Sequence, residues 1–208
     1  EKVFAKIFKQ NLHHTEYMRR LGKLVHAMAS KSILRLDELD IVWESSLGEG
    51  KNDAVIANVH SVLSDLALDL NSEQLDHLFR RFEAELANKN ADLSAVQKVL
   101  NLAREMANKD RQEKMAQKTL ALMRNLVQDE VGTPLATVRL ALELHKDMLQ
   151  KIVIQPNAVR DGYIKQCIAA ILANQSVVPS LCMLRGTLHA YSDYSSYEYS
   201  TRASAIHE

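Results

Sequence analysis

Two adjacent histidines, His13 and His14, with Glu16 close behind, are the residues in this sequence whose types best suit a transition metal. On a helix, sequence neighbours point about 100° apart, so they do not converge on one ion as an i, i+4 pair would. No second His or Cys pair with ligand spacing joins them, and neither a metal nor another cofactor is expected. Cys167 is a candidate nucleophile, because a thiol attacks once a base or a cation lowers its pKa. It lies among Ile164, Ile168, Ile171 and Leu172, however, an apolar stripe that buries a thiol and raises its pKa. Cys182, beside Leu181 and Leu184, carries the same expectation of a core position. His60, His77 and His145 fall near apolar stripes and are expected as hydrogen-bonded packing residues, not catalytic bases. Asp37, Glu38, Asp40 and Glu44 could pair carboxylates for acid–base work. Their place at a helix start suits them instead to the positive end of the helix dipole.

The phosphate-cradling Gly-rich loop, the Gly-x-Ser-x-Gly elbow and the His-Glu-x-x-His pair are all missing from the sequence. No residue is therefore assigned a catalytic role. Arg19, Arg20 and Lys23, and again Arg80 and Arg81, make short basic faces that solvent or an acidic partner could occupy. Met18, Met28, Met106 and Met123 sit at stripe positions and are expected as core filler.

Composition frames these residues. The 208-residue chain is 47% hydrophobic and 25% charged, ordinary proportions for a folded protein. Lys plus Arg and Asp plus Glu both number 26, and the signs are interspersed, so nothing suggests a nucleic-acid partner. No apolar run approaches the roughly 18–20 residues that span a bilayer, and no signal segment opens the chain. Two cysteines are too few for a disulfide framework, which fits reduced thiols in a cytoplasmic protein. The first residue is Glu1, so the chain is expected to be part of something longer.

Gly and Pro number only 6 and 3, while Leu, Ala, Lys and Glu abound, which favours helix. Apolar residues recur at three- and four-residue spacing, and no alternating run suggests a strand. Helices are predicted around Val3–Leu12, Tyr17–Met28 (capped by Thr15), Leu36–Trp43 (ended by Gly48-Glu49-Gly50) and Val55–Leu70. Asn71 or Ser72 caps the next, with the stripe Leu75, Leu78, Phe79, Phe82 and Leu86. Others follow around 92–107, 111–128, 134–151, 157–173 and 176–191. Pro134, Pro156 and Pro179 sit near helix starts, where a missing N–H costs least.

About ten helices joined by short turns should pack antiparallel, as either a closed bundle or a solenoid. Val99-Leu100-Asn101-Leu102, Thr119-Leu120-Ala121-Leu122 and Arg139-Leu140-Ala141-Leu142 repeat at an offset of twenty residues. A helical pair then spans about 40 residues, the length of a HEAT or armadillo unit. The expected fold is an all-α armadillo/HEAT-like α-solenoid over residues 1–191. Residues 192–208 are expected as a Ser/Tyr-rich linker or tail.

One stretch carries a resemblance. Leu36-Asp37-Glu38-Leu39-Asp40-Ile41-Val42-Trp43 is followed by Asn58-Val59-His60, Leu66-Ala67 and Gln74-Leu75-Asp76-His77-Leu78-Phe79. This order resembles the very large ubiquitin-specific proteases of the fat facets type. The match is strongest over residues 36–86, and weaker similarity continues through Leu120-Ala121-Leu122-Met123-Arg124-Asn125-Leu126 to about residue 190. The resemblance implies a helical-repeat flank of a ubiquitin-specific thiol protease. The family's Cys box, with its Asn-x-Gly-Asn-Thr-Cys core, and its His box are both missing from the sequence, so no catalytic residue is carried over.

The expected function is a non-catalytic scaffold recognising protein partners or ubiquitinated substrates, with no membrane or nucleic-acid contact. A helical adaptor unconnected to ubiquitin remains the alternative. An enzyme built from His and carboxylates on helices is disfavoured by the lack of convergent groups. In the twenty-residue register, Arg80, Arg81, Lys114, Lys118 and Arg124 recur along one helical phase. Such a row is more often a solvated charged face; the functional alternative is a basic track for an acidic partner. Reversing Arg81 and Lys118 is expected to weaken capture without changing stability.

Overall fold

The computed structural model describes residues 2–9, 11–47, 52–88, 92–110, 114–128, 133–151 and 156–189. Among them all regular structure is helical: α1 (Lys2–Ile7), α2 (Thr15–Ser30), α3 (Leu36–Glu44), α4 (Asp53–Leu66), α5 (Ser72–Leu86), α6 (Leu93–Lys109), α7 (Lys114–Gln128), α8 (Leu135–Lys151) and α9 (Pro156–Leu172). A further helix, α10, runs over 177–189. The predicted Gly48–Gly50 break and the 192–208 tail lie outside the described residues. The chain divides into two compact units, Glu1–Leu86 with Asn101–Met115, and Ala87–Leu100 with Ala116–Glu208.

In the first unit, α2 packs on α4, α1 on α3, and α3 on both α4 and α5. Helices two apart in sequence thus share a layer, which is how helical repeats stack. Each does so through one apolar stripe. Met18, Leu21, Val25 and Ala29 on α2, and Val59, Val62, Leu63 and Leu66 on α4, are buried at three- and four-residue spacing. Gly22 faces α4, where a Cβ would stand 3.4 Å from Val62 Cγ2, an ordinary packing contact. On α5 the stripe Leu75, Leu78, Phe79, Phe82 and Leu86 is buried as the periodicity predicts. Full burial of side chains such as Leu78 and Phe82 contributes roughly 1.5–3 kcal/mol each. Trp43, 2% exposed, sits 5.0 Å from Phe82 between ring centroids and lies flat against His60.

The helix ends follow local chemistry. Asn71 Oδ1 accepts from the Gln74 N–H at 2.9 Å, and Gln74 Oε1 accepts from the Asn71 N–H at 3.0 Å, a reciprocal cap. Asp92 and Asn52 cap α6 and α4 in one direction, their Oδ1 atoms accepting from the Ala95 and Ala54 N–H. Thr15, by contrast, is already helical, and His14 holds the cap position without a side-chain bond. Two ends use left-handed residues that are not glycine. Ser32 (φ 57°) and Asn174 (φ 54°) let the next residue reach back to Met28 and Ala170 carbonyls, completing Schellman turns after α2 and α9. Pro134 precedes α8 and its carbonyl accepts from Val138 at 3.0 Å.

The twenty-residue repeat is only partly a repeat of environment. Leu100, Leu102, Leu120 and Leu122 are all buried. In the third block Ala141 is buried and Leu140 and Leu142 are half-buried, so the inward face has turned by one residue.

Candidate partner-binding surfaces

Of the acidic group at the start of α3, Glu38 caps locally: its carboxylate accepts from the Arg35 N–H at 3.0 Å. Asp40 does something the local sequence does not suggest. Arg81 Nε donates to Asp40 Oδ1 at 2.7 Å, its Nη2 donates to Oδ2, and His77 Nε2 lies 2.7 Å from Oδ1. Burial pushes the Asp40 carboxyl up, but the hydrogen bonds from Arg81 and His77 outweigh it and hold the pKa below the usual range. The fork of Arg81 thereby pins α5 to α3.

Arg81 is therefore turned into the first unit. Arg80, one residue round the helix, is exposed, and its Nε leans on the Asp76 carbonyl at 3.4 Å. Lys114, exposed at the start of α7, lines a cavity of about 780 Å³ between the α4–α5 and α6–α7 connections. Lys109 lines the same cavity and escaped the sequence reading. Its ammonium donates to Ser64 Oγ and Asp65 Oδ1, both at 2.7 Å, and stands 3.1 Å from Glu105. Burial opposes its charge, yet Asp65 and Glu105 hold its pKa above the ordinary value.

In the second unit, Lys118 is half-buried on α7. Arg124 Nε donates to Gln128 Oε1 at 3.1 Å and its Nη1 donates to Gln166 Oε1 on α9. Its charge acts on three enclosed groups. His145, 2% exposed, meets Tyr163 edge-on with centroids 5.1 Å apart, and burial, then Arg124, lowers its pKa to about 4. Burial lifts the Tyr163 hydroxyl to about 12 and pushes the Cys167 thiol up, so Cys167 stays protonated. His145 Nε2 has no hydrogen-bond partner, contrary to the satisfied packing role expected for it. Cys182 is exposed, not core, because α10 buries Ser180, Met183 and Thr187 and so turns Cys182 outward.

His13 and His14 lie in the turn before α2 and not on a helix; both are exposed, with ring centroids 4.0 Å apart. Among the described residues no three His, Cys, Asp or Glu side chains group in a way that could hold a metal. No described helix is long and apolar enough to cross a membrane.

The family model described as UBP24/USP9X/USP9Y ARM repeat matches residues 1–208. The chain belongs to this family. The fold is accordingly an all-α, armadillo-type solenoid. Among relatives of the UBP24/USP9X/USP9Y ARM repeat chain, the Drosophila melanogaster protein named Probable ubiquitin carboxyl-terminal hydrolase FAF is 36% identical over 105 residues, 50% of this chain. Ubiquitin carboxyl-terminal hydrolase 9Y of Homo sapiens is 30% identical over 185 residues, 88% of this chain, and hydrolase 24 of Homo sapiens is 28% identical over 169 residues, 81% of this chain. These matches cover 4%, 7% and 6% of the relatives themselves, so the chain spans less than a tenth of their length.

The side chains that carried the resemblance have structural roles in this ARM repeat chain. Trp43 fills the core, Asn58 Nδ2 donates to the Leu12 carbonyl at 2.9 Å, and His60 stacks on Trp43. Gln74 Nε2 donates to the Leu34 carbonyl at 2.6 Å, while His77 meets Asp40. In this chain these residues pack and tie helices together.

Proposed function

We propose that this chain is a non-catalytic helical-repeat segment of a large ubiquitin-specific thiol protease, and that it recruits protein partners or ubiquitinated substrates in the cytoplasm. The observation that carries the reading is the match of residues 1–208 to an ARM repeat family whose members here are named ubiquitin carboxyl-terminal hydrolases. The chemistry of the chain supports a recognition role. Its buried thiol, Cys167, is held protonated, Arg81 ties α5 to α3, and Arg80 and Lys114 face solvent. Exposed Arg80 and Lys114 in one unit, with half-buried Lys118 and Arg124 in the other, supply positive charge for an acidic partner surface, where electrostatics set on-rate and selectivity more than affinity. Arg81 contributes by fixing α5, which carries Arg80.

Two assays test this. The isolated chain should release no fluorophore from a ubiquitin C-terminal reporter; release abolished by Cys167→Ser overturns the non-catalytic reading. In the longer protein, removing this segment should leave reporter turnover intact and slow the cleavage of ubiquitinated substrates. Unchanged cleavage of both, or equal loss of both, overturns the recruiting role.

A further inference from the structure

In the second unit a groove of about 550 Å³ runs between α8 and α10. Leu142, His145 and Lys146 line it from α8 at i, i+3, i+4 spacing, and Cys182, Arg185, Gly186 and His189 line it from α10 at i, i+3, i+4, i+7. Each set is therefore one helical face, and the two faces meet across the opening. Buried His145 and Met183 form the floor. Since His145 is a neutral imidazole at pH 7, the groove's charge is set by Lys146 and Arg185, which outweigh Glu143.

Gly186 is the informative position. A glycine inside a helix is unfavourable unless the space of a Cβ is needed. Here a Cβ would meet nothing within 4 Å, so no packing contact within the protein requires the residue to be glycine. Its missing side chain leaves room in the groove. Among the lining residues, half-buried Leu142 on α8 supplies apolar surface opposite Gly186. Leu181 and Leu188, 50% and 49% exposed, lie about 100° round α10 from the lining face and outside the groove.

We propose that this groove binds an acidic, amphipathic peptide segment of a partner protein. Its carboxylates pair with Lys146 and Arg185, and its apolar side chains lie over Gly186 against Leu142. The charge of the groove selects acidic over neutral sequences, and its apolar lining at Leu142 and the open space over Gly186 select a peptide over a small anion.

The test uses the 208-residue chain and a fluorescein-labelled peptide of alternating Glu and Leu, with its Gln-for-Glu and phosphoserine-for-Glu counterparts, read by fluorescence polarisation. The Glu peptide should bind, and the Gln peptide should bind about tenfold more weakly or worse. Gly186→Leu should abolish binding by filling the groove, while Gly186→Ala should retain both binding and the native melting curve. Equal binding of the Glu and Gln peptides, or full binding by a folded Gly186→Leu protein, overturns the proposal. If Gly186→Leu does not fold, the double variant Lys146→Ala, Arg185→Ala decides, and undiminished binding there is equally fatal. Binding of the phosphoserine peptide alone overturns the carboxylate assignment. None of these outcomes alters the ubiquitin-reporter result, so this proposal and the preceding one fail separately.

Discussion

The α3–α5 region of the first unit and the α8–α10 region of the second handle buried polarity in opposite ways. Around Trp43, Asp40 is bonded by both Arg81 and His77, and the side chains of Gln74 and Asn58 each hold a distant carbonyl. Around His145, the Nε2 atom and Ser180 Oγ are buried without a hydrogen-bond partner, and α9 and α10 leave Leu172 and Val178 82% and 69% exposed. An orphaned buried polar group costs about 1–3 kcal/mol, whereas a satisfied network fixes one arrangement. The first region is therefore specified by its own contacts. The second leaves buried polar groups unsatisfied and apolar side chains facing solvent.

The largest effect expected on that contrast is at Trp43. Trp43→Ala removes the ring that meets both Phe82 and His60, and should destabilise by about 3–5 kcal/mol in urea unfolding followed by circular dichroism. A loss below about 1 kcal/mol would mean the paired polar groups, not the aromatic core, hold this region.

Acid should separate the two regions next. His145 falls from 6.5 to about 4 on folding, because burial and then Arg124 disfavour its charged form. Between those values the unfolded chain binds a proton that the folded chain refuses, so stability drops as pH falls, by about 3 kcal/mol at the low end. Asp40 behaves as a depressed carboxylate. Its contribution is complete above its unfolded value of 3.8 and fades as pH falls from there through the folded value. Amide exchange should therefore rise in α8 and α9 between pH 6.5 and 4, before it rises in α3 and α5. His145→Leu should remove the earlier phase, and its persistence in that variant would place the acid-sensitive group elsewhere.

The third comparison concerns the repeat. Leu120→Ala should cost about 2–5 kcal/mol, since Leu120 is fully enclosed. Leu142→Ala should cost distinctly less, about 1 kcal/mol, because the third block has turned and buries Ala141 instead. Equal costs would restore the strict twenty-residue register.

What was legible in the sequence follows the range of the interaction. Helix positions came through because a buried stripe repeats every three or four residues, and the Asn71 cap because its partner is three residues away. Asp40 did not, since its partners stand 37 and 41 residues on and local spacing suggests only a cap. Cys182 was misjudged from its neighbours Leu181 and Leu184, although sequence neighbours on a helix do not share a face. Left-handed ends at Ser32 and Asn174 carry no Gly to announce them. Of the five basic residues, Arg81 and Arg124 proved to bond other side chains of the chain, which charge spacing alone cannot reveal.

That last point changes how the basic surface should be tested, and it gives the smallest expected effect on stability. Reversing Arg81 is not neutral: Arg81→Glu would set a second carboxylate against Asp40 where α3 meets α5. Because the Arg81 side chain is 41% exposed, solvent screens part of the interaction, and the cost should be on the order of 1–2 kcal/mol. Arg80→Glu and Lys114→Glu change exposed positions in the same unit, and together should shift stability by no more than about 0.5 kcal/mol. The two reversals thus separate charge that holds the fold from charge that meets a partner. If the exposed charge serves recognition, the Arg80/Lys114 reversal should weaken capture of an acidic partner and flatten its salt dependence, with the melting temperature unchanged. Capture that survives this reversal but fails in a folded Arg81→Glu protein would place the recognition surface on α3, beside Asp40.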